Sequence, residues 1–277
     1  MEVNKIYNEP NNETMAKMPD CFIDLTVTSP PYDGLRTYNG YSFPFEEIAK
    51  ELFRVTKKGG VVVWVVGDSI IEGSESGTSF KHALYFKKIG FKLHDTMIYH
   101  RPPRFPDKLR YSQSFEYMFV FSKGRPNTFN PIMDHKNKPD GHLGGEVTSC
   151  GGRNKAGILN TRIRPKPREF SNRWNVWDIP NGYFKSTMDK EAYNHPAIFP
   201  EALARDHIIS WSNEGDIVLD PFAGSGTTLK MAKQLNRNYI GIEISEKYYE
   251  IIKKRLYRLN QLDRQIGTTI YEEINAL

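Results

Sequence analysis

Apolar positions near the start of the chain change from helical spacing to an unbroken β-branched run. Residues 45 to 58 place apolar side chains three or four residues apart, which predicts a helix, and Gly59-Gly60 is a natural stop for it. Residues 61 to 66, VVVWVV, are typical of a strand buried on both faces of a parallel sheet. A helix that leads into such a strand indicates an α/β fold.

Predicted helices and strands alternate in the same way along most of the chain. The pattern ends in a β-α-β unit and a long amphipathic helix. Helices are predicted over residues 79–89, 227–235 and 245–265, with one more leading toward Ile209 and Trp211. Strands are predicted over residues 93–99, 115–121, 217–219 and 239–244.

Residues 125–190 interrupt this pattern, because glycine, asparagine, proline and basic residues dominate there. We expect a discontinuous catalytic domain, residues 1–124 and 191–277, with residues 125–190 as an insertion that has little core of its own. Its arginines are interleaved with aromatic residues, a pattern typical of nucleic-acid-binding surfaces, although an ordinary solvated face would show the same feature. The candidate DNA-contacting arginines of the insertion are Arg153, Arg162, Arg164, Arg168 and Arg173.

Composition narrows the class of protein. The formal net charge of +5 permits a polyanionic partner. No apolar run of eighteen residues occurs and the N-terminus lacks the features of a signal peptide, so we expect a soluble, cytoplasmic protein with no membrane partner. Cys21 and Cys150 suggest no disulfide framework, and His135, His142 and Cys150 lack a fourth ligand, so no metal site is predicted.

A glycine-rich turn follows the short strand at residues 217–219 and opens the next helix. Glycines let the backbone approach a ligand closely, and the amides at a helix N-terminus favour a polar or anionic group. Glu243 lies nineteen residues after Gly224, at the end of the following strand, where a carboxylate can accept both hydroxyls of a ribose. Turn and acid together indicate an adenosine-containing cofactor, although a purely structural turn or a nicotinamide-dependent oxidoreductase would show the same feature.

A second signal stands near the N-terminus, where the apolar run of residues 23–27 leads into Ser29-Pro30-Pro31-Tyr32. Two prolines supply no amide donors and hold the backbone rigid and extended, so the carbonyls here are free to face a ligand. The stretch is typical of a pocket wall.

SPPY followed far downstream by FAGSG resembles the amino-methylating DNA methyltransferases, in particular their β group. The resemblance implies a Rossmann-like class I methyltransferase fold, with a mostly parallel twisted sheet and helices on both faces. It also implies S-adenosylmethionine as cofactor, no metal, double-stranded DNA as partner, and either a cognate restriction endonuclease or a solitary role.

The resemblance assigns roles to individual residues. Ser29, Pro30, Pro31 and Tyr32 would be catalytic: the Ser29 hydroxyl and the Pro30 carbonyl would accept the N–H protons of an exocyclic amine, and Tyr32 would stack on a flipped base. Arg36 would touch a DNA phosphate. The cofactor-binding candidates are Asp220, Pro221, Phe222, Ala223, Gly224, Ser225, Gly226, Thr227, Thr228, Glu243 and Phe199.

Serine at the first position of SPPY resembles the N4-cytosine enzymes, with N6-adenine as the main alternative. The chain has no PCQ-type cysteine, which argues against methylation at carbon-5 of cytosine. An RNA methyltransferase and a DNA-binding module without catalysis remain lower alternatives. The sequence departs from the family at Glu9-Pro10, where members often carry Gly-Asp. Asn8 or Asn11 would therefore have to recognise the adenine ring of the cofactor.

Overall fold

The computed structural model describes residues 1–31, 43–101, 108–137, 145–153, 155–164 and 168–275. The helices are α1 (Asn11–Ala16), α2 (Phe45–Val55), α3 (Thr78–Lys88), a 3-10 turn (Lys190–Asn194), α4 (Glu201–Trp211), α5 (Thr227–Gln234) and α6 (Glu246–Asn275). The strands are β1 (Lys5–Tyr7), β2 (Ile23–Thr28), β3 (Thr56–Val66), β4 (Ile70–Ile71), β5 (Ser74–Glu75), β6 (Lys92–His100), β7 (Phe115–Ser122), β8 (His135–Lys136), β9 (Gly145–Arg153), β10 (Leu159–Arg164), β11 (Phe170–Ser171), β12 (Val176–Asp178), β13 (Ile217–Asp220) and β14 (Asn238–Ile242).

The described strands build one eight-stranded sheet, in the order β1-β14-β13-β2-β3-β7-β6-β12. Every neighbouring pair is parallel except β3 with β7 and β7 with β6. The carboxyl ends of β14, β13, β2, β6 and β12 therefore lie at one edge of the sheet, together with the start of β7. In open α/β sheets this edge is where ligands bind.

Strand β3 shows why the sheet is covered on both faces. Val61, Val63 and Val65 pack in a core with α4, α5 and α6, whereas Val62 and Trp64 pack in a second core with α1, α2 and α3. All five side chains are buried. The continuous apolar run predicted this burial, because side chains of a strand alternate between the two faces.

The glycine pair does not end the preceding helix. Helix α2 ends at Val55, and Gly59 and Gly60 lie inside β3. A Cβ on Gly60 would lie 2.9 Å from the carbonyl oxygen of Asp24. Gly60 therefore serves the close approach of β3 to β2, whereas a Cβ on Gly59 would meet the side chain of Asn127. Helical spacing alone reveals neither role.

The chain divides into two units, and the smaller one, Pro131–Trp174, is shorter than the predicted insertion of residues 125–190. Residues 175–190 fold with the larger unit because β12 adds a parallel strand to β6. Trp177 of β12 is buried in the main core. Within the smaller unit, β9 pairs with β10 and β8 with β11, both antiparallel.

None of the described helices is both long enough and apolar enough to cross a membrane. The last helix continues to Asn275, ten residues beyond its predicted end.

Candidate active site

A cleft of about 1210 Å³ lies along the carboxyl edge of the sheet, within the larger unit. It runs past the ends of β14 and β13, past the segment after β2, and on to the ends of β6 and β12. The predicted site residues that line it are Ser29, Pro30, Pro31, Phe199, Asp220, Pro221, Phe222, Ala223, Gly224, Ser225, Thr227 and Glu243. The fold thus brings two motifs almost two hundred residues apart to one cavity.

The glycine-rich turn and Glu243 form one hydrogen-bonded unit. The amide of Gly224 donates to Oε2 of Glu243 over 2.8 Å, and the amide of Ser245 donates to Oε1 over 2.9 Å. Burial, with a smaller contribution from the nearby Asp220 charge, raises the pKa of Glu243 to about 7. Each carboxylate oxygen keeps a second lone pair that can face the cleft.

Gly224 itself must be a glycine. Its φ is +52°, and a Cβ there would lie 3.1 Å from Nε2 of His195. The His195 ring, which is held by backbone groups of Ala197 and packs edge-on against Tyr248, therefore closes over the turn. No pattern in the sequence indicates this contact.

Asp220, at the end of β13, connects the cofactor motif to the catalytic one. It is buried, and Oδ1 accepts from Thr28 Oγ1 over 2.6 Å and from the amide of Phe222 over 3.1 Å. Burial raises the pKa of Asp220 to about 6, against the opposing effect of these donors. Because Thr28 precedes Ser29 directly, this bond fixes the catalytic segment relative to the glycine-rich turn.

The catalytic segment is described as far as Pro31. Ser29 and Pro31 are half-buried and Pro30 is buried, and all three line the cleft. Two further predicted residues, Tyr32 and Arg36, lie outside the described residues.

Aromatic side chains form much of the remaining wall. Phe199 is half-buried against the main core, and Phe222 packs edge-on against Phe43 with ring centroids 5.5 Å apart. All three rings line the cleft. They give the cavity apolar surfaces beside the polar groups of the turn.

The N-terminal segment reaches the same cleft. Asn8 Nδ2 donates to the carbonyl of Glu243 over 2.8 Å, and Asn11 Nδ2 donates to the carbonyl of Pro221 over 3.2 Å. Both asparagines thus hold backbone of the predicted cofactor site in place. Pro10 and Asn11 themselves line the cleft.

Two predicted cofactor residues do not line the cleft. A Cβ on Gly226 would lie 2.7 Å from Cγ2 of Ile252, so this glycine lets α6 pack against the turn. Thr228 donates to the carbonyl of Val27 over 3.1 Å and does not cap α5. Both residues support the motif from behind, because the tight turn directs successive positions to opposite sides.

A buried ionic network behind the turn was not predicted. Arg255 of α6 is 2% exposed and donates to Ser225 O, to Asp189 Oδ2 over 2.9 Å and to Glu201 Oε1 over 2.8 Å. Lys230 contacts the same two carboxylates, at 2.8 and 2.7 Å. Helical periodicity predicted α6 as core packing, and an arginine on its buried side was the only signal in the sequence.

The candidate DNA-contacting residues of the smaller unit fall into three groups. Arg168 is exposed. Arg173 donates from Nε to Asp134 Oδ2 over 2.9 Å, so its guanidinium is engaged inside this unit. Arg153, Arg162 and Arg164 lie on β9 and β10, where the structure describes the backbone only.

The residues present fit S-adenosylmethionine. Glu243 offers two carboxylate oxygens for ribose hydroxyls, and Gly224 leaves the space that a side chain would fill. Phe199 and Phe222 offer apolar surface for a purine ring. Among the described residues, no group of three or more histidine, cysteine, aspartate or glutamate side chains could hold a metal ion.

Comparison with known families gives one match that covers most of the chain. A family model described as DNA methylase, of the N6/N4 methyltransferase type, matches residues 23–254.

Individual relatives agree with that match. The orphan methyltransferase M.BamHII of Bacillus amyloliquefaciens is 60% identical over 245 residues, covering 86% of this chain and 89% of the relative. The DNA adenine methyltransferase YhdJ of Escherichia coli strain K12 is 31% identical, covering 87% and 79%. The DNA modification methylase TTHA0409 of Thermus thermophilus, solved as a complex with S-adenosylmethionine, has the same fold, with a TM-score of 0.61, 23% identity, and coverage of 92% and 94%.

Proposed function

Because the chain belongs to the N6/N4 DNA methylase family, we propose that it methylates the exocyclic N4 amine of a cytosine in double-stranded DNA. The methyl donor of this protein is S-adenosylmethionine, and the chain belongs to a family of DNA amino-methyltransferases. The choice of cytosine N4, the extrusion of that base from the duplex and the residue roles below are our proposal.

The cofactor supplies a methyl group on a sulfonium centre, and the protein supplies position and proton acceptors. Glu243, Gly224 and the aromatic wall would hold the cofactor at the β13–β14 end of the cleft. An exocyclic amine is a poor nucleophile because its lone pair is conjugated with the ring. The Ser29 hydroxyl and the Pro30 carbonyl would accept hydrogen bonds from its N–H groups, which favours a more tetrahedral nitrogen. As the N–CH3 bond forms, the S–CH3 bond would break to leave S-adenosylhomocysteine, and the excess N–H proton would pass to solvent.

Rigidity makes this arrangement effective. Thr28 of β2 donates to Asp220 of β13, and Thr228 of α5 donates to the carbonyl of Val27 in β2. Direct hydrogen bonds between neighbouring elements therefore hold both motifs in place. Holding donor and acceptor in one geometry can lower the barrier by several kcal/mol, on the order of 7–11 in favourable cases. Proline at positions 30 and 31 adds stiffness at the point of reaction.

The observation that carries the choice of base is Ser29 at the first position of the motif, where it lines the cleft. A serine there resembles the N4-cytosine enzymes, whereas aspartate or asparagine is usual in the N6-adenine enzymes. The second candidate, N6-adenine, is favoured by the 31% identity with a relative named a DNA adenine methyltransferase.

Double-stranded DNA is the partner on which this proposal depends. We assign target recognition to residues 125–190, with Arg153, Arg162, Arg164 and Arg168 as phosphate contacts and Arg36 near the catalytic loop. A cytoplasmic location and a restriction endonuclease that acts at the same site are further proposals. The name of the relative that is 60% identical, an orphan methyltransferase, instead suggests a solitary enzyme.

The test is to incubate the purified protein with S-adenosylmethionine and unmethylated DNA, digest the DNA to nucleosides and identify the methylated base by mass spectrometry. We expect N4-methylcytosine from the wild type and a loss of at least a hundredfold in Ser29→Ala, the scale of removing a positioned proton acceptor. N6-methyladenine would overturn the choice of base. Absence of any methylated nucleoside on diverse DNA would favour an RNA substrate or a binding module without catalysis.

A further inference from the structure

The end of the cleft farthest from the glycine-rich turn carries a polar cluster that none of the motifs includes. Tyr99 and Arg101 stand at the end of β6, Glu116 at the start of β7, and Asn181 shortly after β12. All four line the same cleft as Ser29. We call them the acceptor-end cluster.

Tyr99 has an unusual environment within this cluster. Its side chain is 3% exposed, yet the hydroxyl makes no hydrogen bond of ordinary geometry in the part of the chain that the structure describes. Asn181 is the polar side chain beside it. That contact lowers the pKa of Tyr99, so Asn181 acts as a donor to the hydroxyl oxygen, and the O–H proton still lacks an acceptor among the described residues. A buried donor without an acceptor costs about 1–3 kcal/mol relative to a bonded one, so such a group at the wall of a cleft indicates a ligand that accepts from it.

The hydroxyl is a donor over the whole working range of pH. Burial, assisted by the Glu116 charge, raises the pKa of Tyr99 to about 12. Arg101 and Glu116 lie with Nε and Oε1 3.1 Å apart, so the positive and negative charges next to the hydroxyl are matched. Because the charges of Arg101 and Glu116 compensate each other, the neutral hydroxyl is suited to donate to an uncharged acceptor atom.

The strand order places this donor on the far side of the reacting amine. Proceeding from the cofactor end, the order is β14-β13-β2-β3-β7-β6, so Ser29 stands between the glycine-rich turn and Tyr99. Three strand spacings separate β2 from β6, about 14 Å. A planar base can lie between them with its exocyclic amine at Ser29 and the rest of its ring toward Tyr99.

We propose that the Tyr99 hydroxyl donates a hydrogen bond to the ring nitrogen next to the exocyclic amine of the target base. This nitrogen is an acceptor in both amine-bearing candidates, N3 of cytosine and N1 of adenine. Tyr99 is thus a positioning contact for the methyl acceptor, and Asn181 lies where it can orient the hydroxyl. The inference rests on the proposed methylation of a base amine but not on which base is methylated.

The test compares Tyr99→Phe with the wild type and with Tyr239→Phe. Phenylalanine removes the hydroxyl alone, and Tyr239 is a matched control because it is 8% exposed in the same sheet and does not line the cleft. The wild type first maps the methylated site on DNA. Duplexes with that site then give kcat/KM for methyl transfer, and titration calorimetry without DNA gives the affinity for S-adenosylmethionine.

We expect kcat/KM to fall about tenfold in Tyr99→Phe, the scale of one lost hydrogen bond. The affinity for S-adenosylmethionine should stay within about twofold, and Tyr239→Phe should match the wild type. A duplex whose target base is 3-deazacytosine, or 1-deazaadenine if adenine is mapped, lacks the acceptor nitrogen. On this duplex, kcat/KM of the wild type should fall by a similar factor. The kcat/KM of Tyr99→Phe should not fall further, because the hydrogen bond is already absent.

The inference would be overturned if Tyr99→Phe and the wild type had equal kcat/KM. A second tenfold loss of kcat/KM when the variant acts on the deaza base would also overturn it. So would a loss of affinity for S-adenosylmethionine in Tyr99→Phe. A wild type that methylates no base would instead refute the proposed function. The two failures are distinguished because the wild-type activity is measured before any variant.

Discussion

Two buried carboxyl groups at the ends of neighbouring strands define the cofactor half of the cleft. Burial raises the pKa of Glu243 to about 7 and that of Asp220 to about 6, so both titrate close to neutral pH. Their environments differ, because Glu243 accepts from Gly224 and Ser245, whereas Asp220 accepts from Thr28 and Phe222. Glu243 faces ligand and backbone, and Asp220 faces the catalytic segment.

The raised pKa of Glu243 predicts pH-dependent cofactor binding. Ribose hydroxyls donate to the carboxylate, so the ionised form binds, and protonation competes with binding as the pH falls through about 7. We expect the dissociation constant for S-adenosylmethionine to rise about tenfold for each pH unit below that value, measured by calorimetry from pH 5.5 to 8.5. Glu243→Gln should bind weakly throughout without this slope, and an equal slope in Glu243→Gln would contradict the assignment.

The bond between Thr28 and Asp220 predicts a loss of rate rather than a loss of cofactor affinity. Thr28→Val keeps the shape of the side chain but removes the donor, so the segment that carries Ser29 is no longer tied to β13. We expect the single-turnover rate of methyl transfer to fall about tenfold or more, since small misplacements at the reacting atoms are costly. Thr28→Ser keeps the hydroxyl and should retain most of the rate. If both variants behave alike, the hydrogen bond does not position the segment.

Helix α6 does more than pack against the core, because its Arg255 makes hydrogen bonds to three other segments. Its Arg255 joins the back of the glycine-rich turn to Asp189 and to Glu201 of α4. Although burial opposes it, Lys230 and Arg255 hold the pKa of Asp189 below its ordinary value. The helix, the segment before α4 and the turn thus share one set of buried charges.

This network predicts that Arg255 supports both stability and the cofactor site. Arg255→Met should lower the free energy of unfolding by about 3 kcal/mol, because it removes a buried guanidinium and leaves two half-buried carboxylates with fewer partners. It should also weaken S-adenosylmethionine binding, since Ser225 loses its donor. Lys253→Met is the control, because Lys253 lies on the exposed side of α6 in a surface pair with Glu250. Equal unfolding midpoints in denaturant for the two variants would contradict the role of Arg255.

Periodicity predicted the existence of the main helices and strands but not every boundary. The buried run in β3 identifies a central strand, yet the spacing before it predicts a helix stop at Gly59-Gly60. The partners of these glycines, Asn127 for Gly59 and Asp24 of β2 for Gly60, are distant in sequence, so no local pattern reveals them. Strand β12 was placed in the insertion, since three residues with a polar neighbourhood give no strand signal. Its pairing with β6 decides its place in the fold.

For the molecule as a whole, the two motifs predict one shared site, and residues of both motifs line one cleft. The family resemblance indicated a Rossmann-like methyltransferase, and the sheet topology and the family match confirm that fold. The contacts of His195 with Gly224 and of Arg255 with Ser225, and the presence of Tyr99 in the same cleft as Ser29, could not be predicted. They depend on which strand ends meet at the carboxyl edge, and that order is not encoded in any local pattern.

We propose that the cleft has a cofactor half at the ends of β13 and β14 and an acceptor half beyond Ser29. The most direct test of this division is a calorimetric titration of S-adenosylmethionine into wild type, Ser29→Ala and Glu243→Gln, with methyl transfer to DNA measured on the same samples. We predict that Ser29→Ala binds S-adenosylmethionine like the wild type but transfers no methyl group, whereas Glu243→Gln binds at least tenfold more weakly. Loss of cofactor binding in Ser29→Ala, or undiminished binding in Glu243→Gln, would contradict the division of the cleft.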